Sequence, residues 1–427
     1  VSYLIVFRTY PDIDHMAPLA WTLLDGGEEV HAVISPGHDP AGDHRLRLLR
    51  TFPAFHLHEI WPARDRGRGA AIRGTLRSTV FHALWLVVRH DVRVVCVEWG
   101  YGLREGYERL RSLAGVRDVA RSVARSLRLA PRRDPHQTRT NFLVAARLLG
   151  RATVCLPHGL SIKLDAAAND ELLRALRNGG LDWRDRNRFS AYVLNTEHHR
   201  RLHLEHARGE PAVMQAWGSL RWAPRWFDIN RALVAPYAWP ATDGRRLKVV
   251  FMVPKWRNRV DAGAVVDLVR RLHAHPAVSL AIKGHPRPKD GSADPLRAEP
   301  SIDWTQIHDV GDVDSVALIA AADVVVDVGS SIGIEVVLQG RTLVNPFYLH
   351  EVRTLFDDIP GACVRAASAD EVVAYLEAHA AGAAHRARTE ALAELMRRAV
   401  YGDRPEPYDV LSHYRDRLRE LATTPRS

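Results

Sequence analysis

Cysteine is scarce. Cys96, Cys155 and Cys363 are the only three in 427 residues, they lie far apart, and no Cys-x-x-Cys pair occurs. That excludes a disulfide framework and a zinc knuckle, and it fits reduced thiols in the cytoplasm. Long hydrophobic runs are missing too: no apolar stretch reaches the ~18–20 residues of a membrane span. "YLIVF" near the start is too short for a signal-peptide core and has no basic leader, so a cytoplasmic location is expected. Internal repeats and low-complexity tracts are absent, which excludes a solenoid. So are zinc-finger, RRM and KH signatures, so no nucleic-acid partner is expected.

What is present is positive charge. The chain carries 59 Lys and Arg against 50 Asp and Glu, a net charge of +9. The excess is mostly Arg, dense at "HRLRLLR", "RDRGRG" and Arg104–Arg139. Such a surface attracts nucleotides, acidic glycans or anionic lipid. In "RDVARSVARSLRL", Arg117, Arg121, Arg125 and Arg128 share one helical stripe opposite Val119, Val123 and Leu127. The plain reading is a surface helix with its apolar side on the core. The sharper one is a basic face toward an anionic acceptor, with peripheral association at the inner membrane surface.

The length suggests two α/β domains of about 200 residues each. "VSYLIVFRTYPDIDHMAPLAWTLLDGGEEVHAVIS" reads strand, loop, helix, strand, the opening of a parallel βαβ sheet. Further short apolar strands follow at 92–100 and 152–159, then in "SAYVLNT" and "AVMQAWGS". The Pro- and Ala-rich stretch Ala232–Lys248 reads as a linker. "LKVVFMV", "VSLAIKGHP", "DVVVDVG" and "RTLVNP" then repeat the strand pattern, with helices in "VDSVALIAAAD", "SIGIEVVLQG", "ADEVVAYLEAHAAG" and from His385 to about Leu421. The expected division is an acceptor-side domain over 1–235, a linker over 236–247, and a nucleotide-donor domain with terminal helices over 248–427.

In "DVVVDVGSSIGIEVVLQGRTLVNP" a buried strand stops at Gly329-Ser330-Ser331 and a helix follows. Free backbone N–H groups, two hydroxyls and the helix dipole make an anion site there. Gly329 permits a sharp turn and Gly333 a close approach by a ligand. Glu335, about one turn into the helix, is placed to accept from a ribose diol. The bland alternative is a serine N-cap with an early-turn Glu. "LAIKGHPRP" ends another strand in Lys283, His285, Pro286 and Arg287, three basic groups suited to a phosphate held between two loops; the bland alternative is a satisfied histidine in a Pro-containing turn. Lys255 and Arg257, after "VVFMVPKW", are placed to close over it.

Together these segments resemble the nucleotide-binding half of GT-B glycosyltransferases, above all the bacterial capsule and teichoic-acid enzymes. That group includes CDP-glycerol glycerophosphotransferases and capsule polysialyltransferases, with an "HP" motif (here His285-Pro286) and an "SS" motif (here Ser330-Ser331). The likeness covers about Lys248 to Pro346. It implies a GT-B fold of two facing Rossmann-like domains, with a donor of CDP, CMP or UDP type as substrate and no cofactor or metal. "CLPHGLS" resembles the "HG" loop of the glycerophosphotransferases, whose His is a proposed base, and "QAWGSLRWAPRWF" a "GxxR" turn of related capsule proteins. The acidic-Gly motif of the polysialyltransferases is missing: Asp25-Gly26 lies at a helix end, which argues against sialyl transfer.

Transfer needs a base for the acceptor hydroxyl and positive groups for the leaving phosphate. His158 is the first candidate base, His15 and Asp14 the second, Glu98 the third. Asp312-Val313-Asp314 looks like a metal-binding DxD, but it precedes "SVALIAAA" and reads as a helix N-cap. His199, His203 and His206 have ligand spacing in "EHHRRLHLEH", yet a polar surface helix explains them. The expectation is metal-independent transfer of a glycosyl or glycerol-phosphate group to a glycan or lipid-linked acceptor in surface polysaccharide synthesis. Alternatives are a UDP-sugar 2-epimerase, or a non-catalytic nucleotide-sugar-binding subunit.

Overall fold

The structure is a computed structural model, and it describes residues 1–7, 10–34, 41–60, 77, 79–98, 135–157, 159–164, 186–206, 208–240, 247–256, 260–284, 294–405 and 408–424. The chain forms two compact units.

The first unit holds a seven-stranded sheet of β1 (Ser2–Phe7), β2 (Glu29–Ile34), β3 (Phe55–Glu59), β4 (Val92–Glu98), β5 (Ala152–Leu156), β6 (Ala191–Leu194) and β7 (Met214–Ala216), in the order β3-β2-β1-β4-β5-β6-β7. Every pairing is parallel. β1 is buried at all six positions, as a strand covered on both faces must be. Each Val, Leu or Ile hidden this way contributes about 1.5–3 kcal/mol.

The second unit holds six strands, β8 (Leu247–Met252), β9 (Val278–Lys283), β10 (His308–Asp309), β11 (Val324–Asp327), β12 (Thr342–Pro346) and β13 (Val364–Ala366), in the order β10-β9-β8-β11-β12-β13, again all parallel. Asp314 caps the helix Ser315–Ala321 through Val316 N at 2.8 Å, as the sequence suggests. In each sheet the strand order reverses beside the first strand, between β1 and β4 and between β8 and β11. Ligands of such sheets sit outside the C-terminal ends at that switch point.

Two expectations are corrected. The last helix, Val410–Thr423, belongs to the first unit rather than the second. Tyr414, fully buried, donates to Gly218 O at 2.9 Å, and Arg419 Nε donates to Glu28 Oε1 at 2.6 Å. Gly218 has φ +91°, and a Cβ there would sit 2.5 Å from Val400 O. Nor is 385–421 one helix. It breaks after Val400, where Gly402 and Asp403 take φ of 66° and 68°. In addition, residues 161–164 join the second unit, where Leu355 N donates to Ile162 O at 2.7 Å. The Arg-striped segment 117–129 lies outside the described residues.

Candidate functional site

In the second unit, in-register pairing places Lys283, Met252 and Asp327 in one row at the C-terminal edge of the sheet. Asp327 ends β11, 3% exposed. Its carboxyl accepts from Ser330 N at 2.8 Å and from Ser330 Oγ at 2.6 Å. Burial pushes it up to about 7 despite those two bonds. Gly329 makes the turn at φ +65°, and a Cβ there would lie 2.9 Å from His350 Nε2. Among the described residues that nitrogen has no hydrogen-bond partner, while His350 Nδ1 accepts from Val352 N at 3.3 Å. Burial holds His350 below the usual imidazole range. Asn345 follows Val344, the partner of Val326, so it stands beside Asp327 on the neighbouring strand. It is 1% exposed, and neither amide atom has a partner among the described residues. Ser330 is exposed, and Ser331 starts the helix Ile332–Leu338 without a side-chain capping bond.

Other residues expected at the phosphates are placed differently. Lys283 Nζ donates to the backbone carbonyls of Val310, Gly311 and Val313, at 3.1 Å to Gly311 O. It therefore ties down the turn before the helix Ser315–Ala321. Gly333 is buried, and a Cβ on it would meet Phe356 Cε2 at 2.8 Å and Leu343 Cδ2 at 3.0 Å. Its missing side chain serves packing, not ligand approach. Glu335 is 1% exposed within the same helix. Lys255 follows β8, next to the Asp327 loop through the β8–β11 pairing. Arg257, His285 and Arg287 lie outside the described residues.

In the first unit Asp14 and His15 lie in the helix Tyr10–Asp25 that follows β1 rather than in the expected loop, Glu98 is the last residue of β4, and Gly159 follows β5. Asp14 pairs with Arg221 and, at 2.6 Å, with Arg45. Burial alone would raise its carboxyl, but the Arg221 and Arg45 guanidiniums together hold it below the usual range. Arg45 is 2% exposed and also grips Asp43, with Nη2 to Oδ2 at 2.7 Å. Asp14 is thus an ionised anchor, a poor proton acceptor. Arg221 is the basic residue of the "GxxR" turn, so that turn closes on the helix Tyr10–Asp25. Glu98 ends β4, 4% exposed, with Oε2 3.9 Å from Arg139 Nη1. His15 remains beside the "HG" loop: its Nε2 lies 3.5 Å from where a Gly159 Cβ would be. Asn195 Nδ2 donates to Gly159 O at 2.8 Å and pins that loop. His158 itself lies outside the described residues.

The set His199, His203 and His206 does not converge on a ligand. His203 is 3% exposed and not a surface group; its Nδ1 meets His199 O at 2.8 Å, and burial pushes it down to about 3. Sequence reasoning missed Asp327, Asn345 and His350. The second Asp of "DVVVDVGSS" and the Asn of "LVNP", each closing an apolar strand, were the available signal for the first two.

No family model and no curated protein matches the chain. Solved structures do. One is the UDP-GlcNAc 2-epimerase from Neisseria meningitidis bound to UDP-GlcNAc, 11% identical with a TM-score of 0.53, covering 99% of this chain and 100% of that one. The S. aureus protein MnaA with UDP is 12% identical at 0.53, over 100% and 99%. Anabaena HepE with UDP and glucose is 11% identical at 0.52, over 99% and 100%. At such identity the likeness shows architecture: the chain has the GT-B fold, with two Rossmann-like units of parallel sheet. Among the described residues no helix is long and apolar enough to cross a membrane.

Proposed function

We propose that the chain is an enzyme acting on a UDP-activated sugar, with the diphosphate received by the loops that follow β8 and β11. The observation that carries this is the polar cluster at the second switch point. Ser330 is fixed by the carboxyl of Asp327, Gly329 lies against His350, and the buried Asn345 and half-buried His350 have buried polar atoms no described residue satisfies. Buried polar groups are rarely left unpaired, and a bound polar ligand or ordered water would complete them. The basic residues of the loops after β8 and β9, Lys255, Arg257, His285 and Arg287, are the candidates for phosphate charge.

Of the chemistries open to such a site, 2-epimerisation is the reading the neighbours favour, because the Neisseria structure is a 2-epimerase bound to its sugar nucleotide. A second reading, transfer to a glycan or lipid-linked acceptor, has one observation on its side. Asp14 is bound by two arginines and Glu98 lies beside Arg139. The two guanidiniums make Asp14 a weaker base, whereas a histidine of the His15–Gly159 neighbourhood suits removal of a hydroxyl proton.

Binding is tested by calorimetry with UDP, CMP, CDP, GDP and ADP on the whole chain. UDP is expected to bind selectively. Replacing Ser330 and Ser331 together by alanine should cost about 1.5–3 kcal/mol of that affinity, the worth of a hydrogen bond to a charged group. Indifference to the nucleotide, or an unchanged affinity in the folded double variant, removes the basis of the assignment.

A further inference from the structure

In the first sheet, four histidines meet on one face at its β2–β3 side. Glu29 and His31 are the first and third residues of β2, His56 and His58 the second and fourth of β3, and His90 stands two residues before β4. The register pairs His31 with His56 and Val33 with His58. Alternate residues of a strand share a face, so His31, His56 and His58 project from one face together. The end of the helix Val80–Arg89 brings His90 onto them. Ring centroids lie 4.1 Å apart for His31 and His90, 4.8 Å for His31 and His56, and 5.3 Å for His31 and His58.

His31 is fully buried, and its two nitrogens have distinct surroundings. Nδ1 lies 3.0 Å from His58 Nε2. Nε2 lies 3.4 Å from Glu29 Oε1, which is also 3.1 Å from His56 Nε2. Ligand atoms of His31, His58 and His90 all fall within 4.8 Å of one another. A tetrahedral zinc ion bonds imidazole nitrogen at about 2.0–2.1 Å, which holds two such nitrogens about 3.3 Å apart. The His31–His58 pair needs to open by only a few tenths of an ångström. A carboxylate on the far nitrogen is the usual way a ligating imidazole is oriented and its tautomer fixed.

We propose that His31, His58 and His90 form a binding site for a divalent transition metal of the zinc class, with Glu29 standing near the far nitrogen of His31. Neutral imidazole donors suit zinc, copper and nickel and disfavour magnesium or calcium. The role is structural. The metal would clamp β2, β3 and the end of the helix before β4, with its fourth position left to water or to a nearby side chain.

The test uses tag-free, chelator-treated full-length protein. Titration with Zn²⁺ should show one site per chain and raise the midpoint of thermal unfolding, because a metal that binds only the folded state stabilises it. Co²⁺ should give the visible absorption of a low-coordinate nitrogen site. His58→Ala and His90→Ala, at half-buried positions, should each weaken zinc at least tenfold, while His198→Ala leaves it unchanged. Failure of the wild type to hold one equivalent against a weak chelator overturns the proposal, and this needs no variant to fold. So does stoichiometric binding that survives both substitutions.

Discussion

A His158→Ala variant is expected to lose about 10²–10⁴-fold in turnover, the usual contribution of general base catalysis, while its affinity for UDP stays close to wild type. The expectation rests on placement. His158 follows β5 and directly precedes Gly159, which lies against His15 and is pinned by Asn195. Asp14, in the neighbouring helix, is taken up by Arg45 and Arg221. The nucleotide is assigned to the other unit, so binding should survive. The wild-type rate should also fall below the imidazole pKa, about 6.5 before perturbation. Steady-state kinetics beside calorimetry read both quantities. Loss of binding and turnover together would show that His158 serves the donor or the fold. Full activity would pass the role to His15.

The second large effect is a pH-dependent stability at Asp327. Its folded pKa is raised to about 7 by burial, against about 3.9 for an unfolded aspartate. A raised folded value means that the folded state holds the proton more tightly. This contribution is fully present below pH 4 and is lost as the pH rises to 7. Each unit corresponds to about 1.4 kcal/mol, so the total is on the order of 4 kcal/mol. Asparagine keeps the shape, can accept from Ser330 N, and never ionises. Asp327→Asn should therefore gain stability relative to wild type between pH 4 and 7, with the difference constant above. Denaturant titrations of both proteins across that range check it. A difference independent of pH would show that Asp327 ionises in the fold as easily as in the unfolded chain.

The sheets were legible where strands are buried on both faces. β1, β8, β11 and β12 are nearly unbroken apolar runs, and their ends marked the switch-point loops. β3 was not read, because "FHLHE" is mostly polar and only pairing with His31 and Val33 makes it a strand. β10 and β13 are too short for any period to show. The site was legible as loops and not as roles. Lys283 looked like a phosphate ligand, but its partners are carbonyls 27 to 30 positions away, invisible to local spacing. Asp14 looked like a base because Arg45 and Arg221 come from distant segments. Glu335 fell on the inward face of a seven-residue helix, which the Gly-Ser-Ser signal alone does not fix. The break after Val400 did have a local sign in "YGDRPEP", where Gly and Pro interrupt the helical pattern.

Incubation with UDP-GlcNAc in D₂O, without acceptor and followed by NMR, tests the central claim most directly. Epimerisation must break and remake the C2–H bond, so the account predicts deuterium at C2 and appearance of the 2-epimer in a protein-dependent reaction. Release of UDP only when a glycan acceptor is added would select transfer instead. A sugar nucleotide recovered intact, with its C2 proton unexchanged and no UDP released under either condition, would contradict the assignment.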